Sequence, residues 1–390
     1  MAKKICIVTG TRAEYGLLRP LIEKVYRAEE LVLMLVVTGM HLSPEFGLTY
    51  KEIEEDGYPI ASKIEMLLSS DSAAGVTKSM GVAMFGFADC FVSDRPDIVV
   101  ILGDRYEMLA AAVSAMLARI PVAHIHGGEL TEGVIDEAIR HSITKMSQIH
   151  FTSTEEYRKR VIQLGEQPQS VFHVGALGVE NLKKIQLLRK DALEQAIGFR
   201  FAPLTVMVTY HPVTLENSTS RDQFGILLDV LAEHQEISVI FTKANSDTDG
   251  RIINQMIDDY VSKYPERCAA YTSLGQLKYF STLQFCTAVV GNSSSGIIEA
   301  PSFGIPTVNI GDRQRRRVHA GSVIDCTNEK VQISQALEKA LSKEFREEIR
   351  GIRNPYEGEH TSDTIIKVIT RALDKGIDIK KKFYDLREKE

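Results

Sequence analysis

The stretch DIVVILGDRYEMLAAA, residues 97–112, joins an unbroken apolar run to a glycine, three charged residues and the start of an alanine-rich helix. The run 98–102 shows no polar alternation, which is typical of a strand buried on both faces in a parallel sheet covered by helices. Ligands of such sheets bind just beyond the carboxyl ends of the strands. Asp104, Arg105 and Glu107 therefore stand where a functional site is expected.

The same unit repeats along the chain as a short apolar strand, a polar or glycine-containing turn, and a helical pattern. This alternation predicts an α/β fold with parallel sheets built from βαβ units. No strand is predicted between 174 and 204, which places a domain boundary near residue 180, and a helix is predicted over 362–375. The predicted strands are 4–9, 31–38, 97–102, 121–126, 148–152, 171–174, 204–210, 237–242, 287–290, 305–310 and 322–325.

Length and composition exclude several classes of protein. A chain of 390 residues suits two domains of about 150–200 residues each. A net charge of −6 and a pI near 6.0 argue against a nucleic-acid surface, which needs clustered positive charge. The start MAKKICIVTG lacks the apolar core of a signal peptide, and the longest apolar run, Leu31 to Val37, is too short to span a membrane. Five cysteines without a CxxC pair suit reduced thiols, so we expect a cytoplasmic protein.

Polar residues follow almost every predicted strand. Turns alone favour Gly, Asp, Asn and Ser at strand ends, so for a single strand end the structural and functional interpretations are balanced. The whole set favours a functional edge on each sheet, and two such edges that face each other would enclose one cleft. These strand ends carry Arg12, His41, Asp104, Arg105, Glu129, His211, Asn245, Ser293, Ser294 and Arg313.

The segment GNSSSGIIEA, residues 291–300, is predicted to pass from a strand into a helix that begins near Ile297. Free backbone N–H groups and three hydroxyls at a helix N-terminus outline a phosphate site, whereas a serine N-cap needs only one hydroxyl. Glu299 is expected in the first helical turn, where it favours the helix dipole or accepts hydrogen bonds from a ribose diol. Arg12 in TGTRAEYG, residues 9–16, is able to bind a diphosphate bidentately.

Two further strand ends carry candidate ligands. Arg313 lies at the end of the strand 305–310 and is the better anion ligand there, whereas residues 315–317 fit a charge run on a solvated loop. His211 precedes a proline and fits a catalytic acid, a phosphate donor or a buried hydrogen-bonded histidine. Its place at a strand end favours a functional role.

Asp104, Glu129 and Asp136 belong to neighbouring predicted elements. Asp136 opens the helical pattern DEAIRHSITKM, and Arg140 lies four residues later on the same face. A structural salt bridge between these two is the alternative to a catalytic role.

Three histidines near these acids, His124, His126 and His141, raise the question of a metal site. Neither a cysteine pair nor an HExxH motif completes a zinc ligand set. We therefore expect no metal.

Taken in order, the motifs TGTRAEYG, TGMH, GDRYE, HIHGGE, DEAIRHSITKMS, TSTEEY, YHPVT, GNSSSGIIEAPSFGIP and NIGDRQRRR closely resemble the hydrolysing UDP-N-acetylglucosamine 2-epimerases of sialic acid biosynthesis. The match is weakest over 183–203 and after 325. The resemblance implies the GT-B architecture, two Rossmann-like domains with an active-site cleft between them. It implies an N-terminal domain over 1–180, a nucleotide-binding domain over 181–359, and a C-terminal helix, 360–376, that packs back on the first domain.

The resemblance also implies the chemistry. Enzymes of this family eliminate UDP from C1 and C2 of the sugar and then add water to release free N-acetylmannosamine. Carboxylates remove the acidified C2 proton and stabilise the oxocarbenium-like transition state, as in glycoside hydrolysis. No cofactor is needed, and a homodimer or homotetramer is expected.

The roles implied by the resemblance are assigned residue by residue. Asp104, Glu129 and Asp136 are the catalytic carboxylates, with base and acid not apportioned between them. His211 assists departure of UDP and holds the diphosphate with Arg12, Ser293, Ser294 and Arg313. Glu299 binds the ribose, Asn245 lines the cleft, Arg140 supports the acidic helix, and Arg105 joins the substrate-binding set.

Several alternatives remain open at this point. The sugar is N-acetylglucosamine, or a 2,4-diacetamido-6-deoxy sugar of legionaminic acid synthesis, and the nucleotide is UDP or GDP. Two other classes share the fold: a GT-B glycosyltransferase, which needs an acceptor, and a noncatalytic nucleotide-sugar sensor, which binds UDP without turnover. The three carboxylates argue against the glycosyltransferase.

Overall fold

The computed structural model describes residues 2–68, 70, 72–131, 134–213, 220–244 and 250–386. The chain forms two compact units. The first comprises Met1–Glu129, Asp136–Asn181 and Tyr356–Glu390, and the second comprises Leu130–Ile135 and Leu182–Pro355.

Strands and helices alternate along most of the chain. The strands are β1 (Lys3–Thr9), β2 (Leu31–Thr38), β3 (Ile60–Ile64), β4 (Ile98–Leu102), β5 (Val122–Ile125), β6 (Ile149–Thr152), β7 (Val171–His173), β8 (Thr205–Thr209), β9 (Ser238–Thr242), β10 (Cys268–Tyr271), β11 (Ala288–Gly291), β12 (Thr307–Ile310) and β13 (Val323–Cys326). The helices are α1 (Arg12–Arg27), α2 (Tyr50–Glu55), α3 (Ala73–Ser93), α4 (Tyr106–Leu117), α5 (Asp136–Met146), α6 (Glu155–Gln163), α7 (Leu177–Lys184), α8 (Lys190–Ile197), α9 (Ser220–Glu233), α10 (Gly250–Lys263), α11 (Gly275–Leu283), α12 (Ser294–Ile298), α13 (Lys330–Leu341), α14 (Lys343–Glu348) and α15 (Thr361–Lys375).

Each unit is built on one parallel sheet. The first sheet has the order β3-β2-β1-β4-β5-β6-β7, and the second has the order β10-β9-β8-β11-β12-β13. The prediction of parallel sheets from βαβ units is therefore confirmed. The direction of chain progress reverses between β1 and β4 and again between β8 and β11, and such switch points are where ligands bind in doubly wound sheets.

Apolar residues cover both faces of the first sheet. Ile5 and Ile7 of β1 belong to one buried cluster, which includes residues of α1 and α15. The alternate residues Cys6 and Val8 belong to a second cluster, with residues of α3 and α4 on the opposite face. Because successive side chains of a strand point to opposite faces, a strand covered on both sides must be apolar throughout.

The C-terminal helix α15 packs against α1 within the first unit. Its start is held by hydrogen bonds to the segment around α7. Thr361 Oγ1 donates to the Val174 carbonyl at 2.6 Å, and Ser362 N donates to Glu180 Oε2 at 2.8 Å. Helix α15 thereby adds Ile365 and Ile369 to the core of the first unit.

Two strands, β3 and β10, were not among those predicted from the sequence. Both lie at sheet edges and both contain partly exposed residues. Their sequences, IASKI and CAAY, lack the continuous apolar run that marks a central strand, because an edge strand is covered less completely. Among the described residues, no helix is both long and apolar enough to cross a membrane.

Candidate active site

Asp104 lies in the turn after β4, directly following Gly103, whose φ of +77° lies in the left-handed region. Its carboxylate forms an ion pair with the guanidinium of Arg140 on α5. The Arg140 side chain is 1% exposed and that of Asp104 is 23% exposed. A buried guanidinium requires anionic partners, so Arg140 orients Asp104, while part of the Asp104 carboxylate stays accessible.

Arg140 also joins α5 to the turn that follows β5. Its Nη1 donates to the carbonyl oxygen of Glu129 at 2.8 Å and to Glu137 Oε2 at 3.1 Å. Asp136, the first residue of α5, is partly buried one helical turn before Arg140. The helical spacing of Asp136 and Arg140 indicated a pair within the helix but not the pairing of Arg140 across elements to Asp104.

The Glu129 carboxylate is almost fully buried beyond the end of β5. Ser153 Oγ donates to Glu129 Oε1 at 2.6 Å, and His126 Nδ1 lies 3.5 Å from the same oxygen. The turn passes through Gly128 at a φ of +80°, where a Cβ would lie 2.6 Å from the Tyr157 carbonyl oxygen. Glycine at 128 therefore allows the close approach that positions Glu129.

The three histidines considered for a metal site, His124, His126 and His141, have separate partners. Burial lowers the pKa of His124 to about 3, and its ring nitrogens lie 2.7 Å from the Gly103 carbonyl oxygen and 3.1 Å from Thr144 Oγ1. His141 Nε2 lies 3.1 Å from Glu137 Oε1. His126 lies past the end of β5 with a φ of +67°, so strand alternation does not set its direction. Within the described part of the chain, no three His, Cys, Asp or Glu side chains form a group able to hold a metal ion.

Two glutamates near the first switch point were given no role in the sequence analysis, although Glu107 was placed at the end of β4. Glu14 and Glu107 are buried in the first turns of α1 and α4. Glu14 accepts hydrogen bonds from the backbone N–H groups of Gly10 and Thr11 at 2.7 and 3.1 Å. The spacing of Thr11 and Glu14 is that of a capping box, a signal that could have indicated the place of Glu14 from sequence.

The two arginines of this region are each held by a glutamate. Arg105 donates from Nε and Nη2 to Glu107 Oε1 at 3.2 and 3.1 Å. Arg12 forms an ion pair with Glu52, with 2.5 Å between Nε and Oε2. Arg12 opens α1 directly after the capping residue Thr11, at the positive end of the helix dipole.

In the second unit, Asn292 connects three turns at the switch point between β8 and β11. Its side chain accepts from His211 N at 2.7 Å and donates to the His211 carbonyl oxygen at 2.8 Å. Its own carbonyl oxygen accepts from Arg313 Nη1 and from Gln314 Nε2, each at 3.0 Å. His211 and Arg313 are therefore brought together around Asn292, a residue that sequence reasoning did not select.

The serine-rich segment differs in detail from the prediction. The helix α12 begins at Ser294, with Ser293 as its N-cap, and not near Ile297. Glu299 is consequently the C-cap, so its predicted place in the first helical turn is wrong, and the alternative in which it favours the helix dipole falls with it. The N-cap geometry of Ser293 starts the helix three residues earlier than the apolar pattern indicated. Tyr279 Oη donates to Ser295 Oγ at 2.7 Å.

Two other predictions concern this unit. Arg315 and Arg316 are exposed as expected, but Arg317 is buried and donates from Nε to the Leu130 carbonyl oxygen at 3.0 Å. Arg317 thus does not belong to the solvated run, because it serves as a hydrogen-bond donor inside the second unit. Asn245 lies outside the described residues.

The fold matches that of solved nucleotide-sugar enzymes. A structure described as UDP-GlcNAc 2-epimerase from Neisseria meningitidis bound to UDP-GlcNAc aligns with a TM-score of 0.78 at 20% identity, covering 94% of this chain and 100% of the other. The predicted GT-B class, with two α/β units on parallel sheets, is confirmed.

Sequence comparison identifies the family. The model of the family described as UDP-N-acetylglucosamine 2-epimerase matches residues 23–370. A GDP/UDP-N,N'-diacetylbacillosamine 2-epimerase (hydrolyzing) of Campylobacter jejuni is 43% identical over 98% of this chain and 99% of its own. The polysialic acid biosynthesis protein P7 of Escherichia coli is 39% identical, over 99% of this chain and 98% of its own. The chain therefore belongs to the UDP-N-acetylglucosamine 2-epimerase family and is a nucleotide-sugar 2-epimerase.

Proposed function

We propose that this enzyme is a hydrolysing 2-epimerase whose substrate is nucleotide-linked N,N'-diacetylbacillosamine. The observation that carries the proposal is the 43% identity, over nearly the full length of both chains, to the Campylobacter jejuni enzyme of that name. This favours the diacetamido sugar, which the sequence motifs left as the alternative, over N-acetylglucosamine.

The proposed reaction has two steps. In the first, a carboxylate takes the C2 proton while the C1–O bond breaks, and the electron pair of that bond leaves with the nucleoside diphosphate. In the second, water adds its oxygen to C1, and a proton is delivered to C2 on the face opposite to the one from which the first proton was removed. The product is a free sugar with inverted configuration at C2.

Asp104, Glu129 and Asp136 supply the carboxylates in this proposal. The pairing of Arg140 with Asp104 and with the Glu129 carbonyl supports it, because one buried side chain then positions two of the three acids. A fixed geometry matters because proton transfer requires the acid or base within hydrogen-bond reach of the reacting carbon or oxygen.

The second unit supplies the nucleotide ligands in this proposal. We assign Arg313, Ser293, Ser294 and Arg12 to the diphosphate, and His211 to protonation or stabilisation of the leaving oxygen. Asn292 supports this assignment because it holds the backbone of His211 from both sides. Glu299 binds the ribose, and Asn245 and Arg105 complete the substrate contacts.

A second candidate substrate is UDP-N-acetylglucosamine. The description of the family favours it, as does the 39% identity to a polysialic acid biosynthesis protein.

We also propose that the enzyme assembles as a homodimer or homotetramer.

The test is turnover of purified protein in deuterated water with three substrates: UDP-N-acetylglucosamine and the UDP- and GDP-linked diacetylbacillosamines. We expect release of nucleoside diphosphate without an acceptor, deuterium at C2 of the free sugar, and a kcat/KM at least about tenfold higher for a diacetylbacillosamine donor, a preference of roughly 1.4 kcal/mol. Preference for UDP-N-acetylglucosamine would select the second candidate. Product that keeps its original C2 hydrogen would overturn the elimination mechanism.

A further inference from the structure

Two buried carboxyl groups face a common space between the turns that follow β1 and β4. Glu107 is fully buried and Glu14 is nearly so. A Cβ built on Gly10 would lie 3.3 Å from Glu14 Oε2 and 3.5 Å from Glu107 Oε1. A Cβ on Gly39 would lie 2.9 Å from Glu107 Oε1. The two glycines thus leave room for two acids at the switch point of the first sheet.

The two carboxyl groups have unequal partners. Glu107 Oε1 accepts twice from the guanidinium of Arg105, while Glu107 Oε2 is buried without a hydrogen-bond partner among the described residues. Glu14 Oε2 accepts two backbone N–H groups, so a proton on this carboxyl would sit on Oε1. The guanidinium of Arg105 therefore pairs with Glu107, whereas Glu14 is held by backbone N–H groups.

The other charged groups around the pair are engaged elsewhere. Arg12, in the turn that Glu14 anchors, pairs with Glu52. Asp104, beside Arg105, pairs with Arg140. His41, whose ring nitrogens lie 3.0 Å from Thr9 Oγ1 and 2.8 Å from Thr49 Oγ1, has its pKa lowered by burial to about 4 and is neutral.

We propose that Glu14 carries a proton in this buried pair, and that this proton keeps together the two turns that carry Arg12 and Asp104. Two carboxylates buried side by side cannot both be charged without a large repulsion. Arg105 neutralises Glu107, which leaves the proton to Glu14. The two glutamates are positioning residues, since they act through the turns they anchor.

The ionisation of Glu14 agrees with this assignment. Burial, followed by the charge of Glu107, raises the pKa of Glu14 to about 7 despite its two backbone hydrogen bonds. A group whose pKa is raised by folding stabilises the protein fully below its unfolded pKa, and this contribution is lost as the pH rises through the folded value. Stability of the first unit is therefore expected to fall between about pH 4.5 and pH 7.

The positioning role rests on the proposed function, whereas the proton can be tested without substrate. Glu14→Gln replaces the protonated acid by an isosteric amide. Glu23→Gln, at a partly exposed position of the same helix that pairs with Arg27, is the matched control. The infrared C=O band of a protonated carboxylic acid should be present at pH 6 in the unmodified enzyme and in the control, and it should be lost in Glu14→Gln.

The pH profile of turnover provides the second measurement. Above pH 7, kcat/KM of the unmodified enzyme should fall about tenfold per pH unit, the slope of one ionisation, and Glu14→Gln should lack this alkaline limb. If Glu14→Gln does not fold, Glu107→Gln should move the acid band to lower pH, since the repelling charge is gone. An acid band or an alkaline limb that persists unchanged in these variants would overturn the proposal.

Discussion

Replacing Asp104 by Asn should lower kcat severely. It should also lower the free energy of unfolding, by an amount that follows from the remaining contacts of Arg140. The substitution keeps the size of the side chain and removes its negative charge and basicity. Loss of one general acid or base lowers kcat by about 10²–10⁴-fold. We expect kcat to fall within that range.

The effect on stability follows from Arg140. Breaking a buried ion pair costs about 3–5 kcal/mol when the remaining charge has no other partner. Arg140 keeps Glu137 and the Glu129 carbonyl, and the Asn side chain still accepts a hydrogen bond. The free energy of unfolding should therefore fall by less, about 1–3 kcal/mol, the cost of weakening a hydrogen bond to a buried charged group.

The assay combines steady-state turnover with urea unfolding of the same preparation. Asp94→Asn is the matched control, because Asp94 pairs with Lys4 on the same unit but is 49% exposed, and exposed pairs contribute about 0–1 kcal/mol. An Asp104→Asn variant with undiminished kcat would refute the catalytic assignment. Unfolding free energy unchanged relative to the control would refute the structural role of the pair with Arg140.

Three further predictions concern residues that support the site. Asn292→Ala should lower kcat by a larger factor than it lowers the UDP affinity measured by calorimetry, because it releases the backbone of His211. Equal factors would contradict this role. Burial alone would raise the pKa of Glu166, but hydrogen bonds from His150, Lys145 and Lys381 lower it to about 2, so its contribution to stability is present above about pH 4.5 and lost as the pH falls. Acid unfolding of Glu166→Gln should therefore show a weaker pH dependence than that of the unmodified enzyme, and identical acid titrations would refute this. Gly128→Ala should destabilise the protein and reduce turnover, since the new Cβ would meet the Tyr157 carbonyl oxygen at 2.6 Å, and normal stability and turnover would show that the turn adapts freely.

Much of the fold could be predicted because its strongest signals are local. The unbroken apolar runs of β1 and β4 identify strands covered on both faces, and polar residues at their ends identify the functional edge. Edge strands such as β3 escaped prediction because partial exposure permits polar residues. The start of α12 was misplaced because Ser293 is one of three consecutive serines, and each of them is a suitable N-cap residue.

By itself, the sequence determined the parallel sheets, the acidic and serine-rich strand ends, and the family, because these depend on residue order over short spans or on motifs in a fixed succession. Which side chains of the site contact one another was decided only by the tertiary structure. Arg140 meets Asp104 across 36 residues, and Glu14 faces Glu107 because β1 and β4 are neighbours in the sheet. Strand order, which brings distant turns together, and burial, which sets the ionisation of Glu14, are properties of the packed chain that no short stretch of sequence contains.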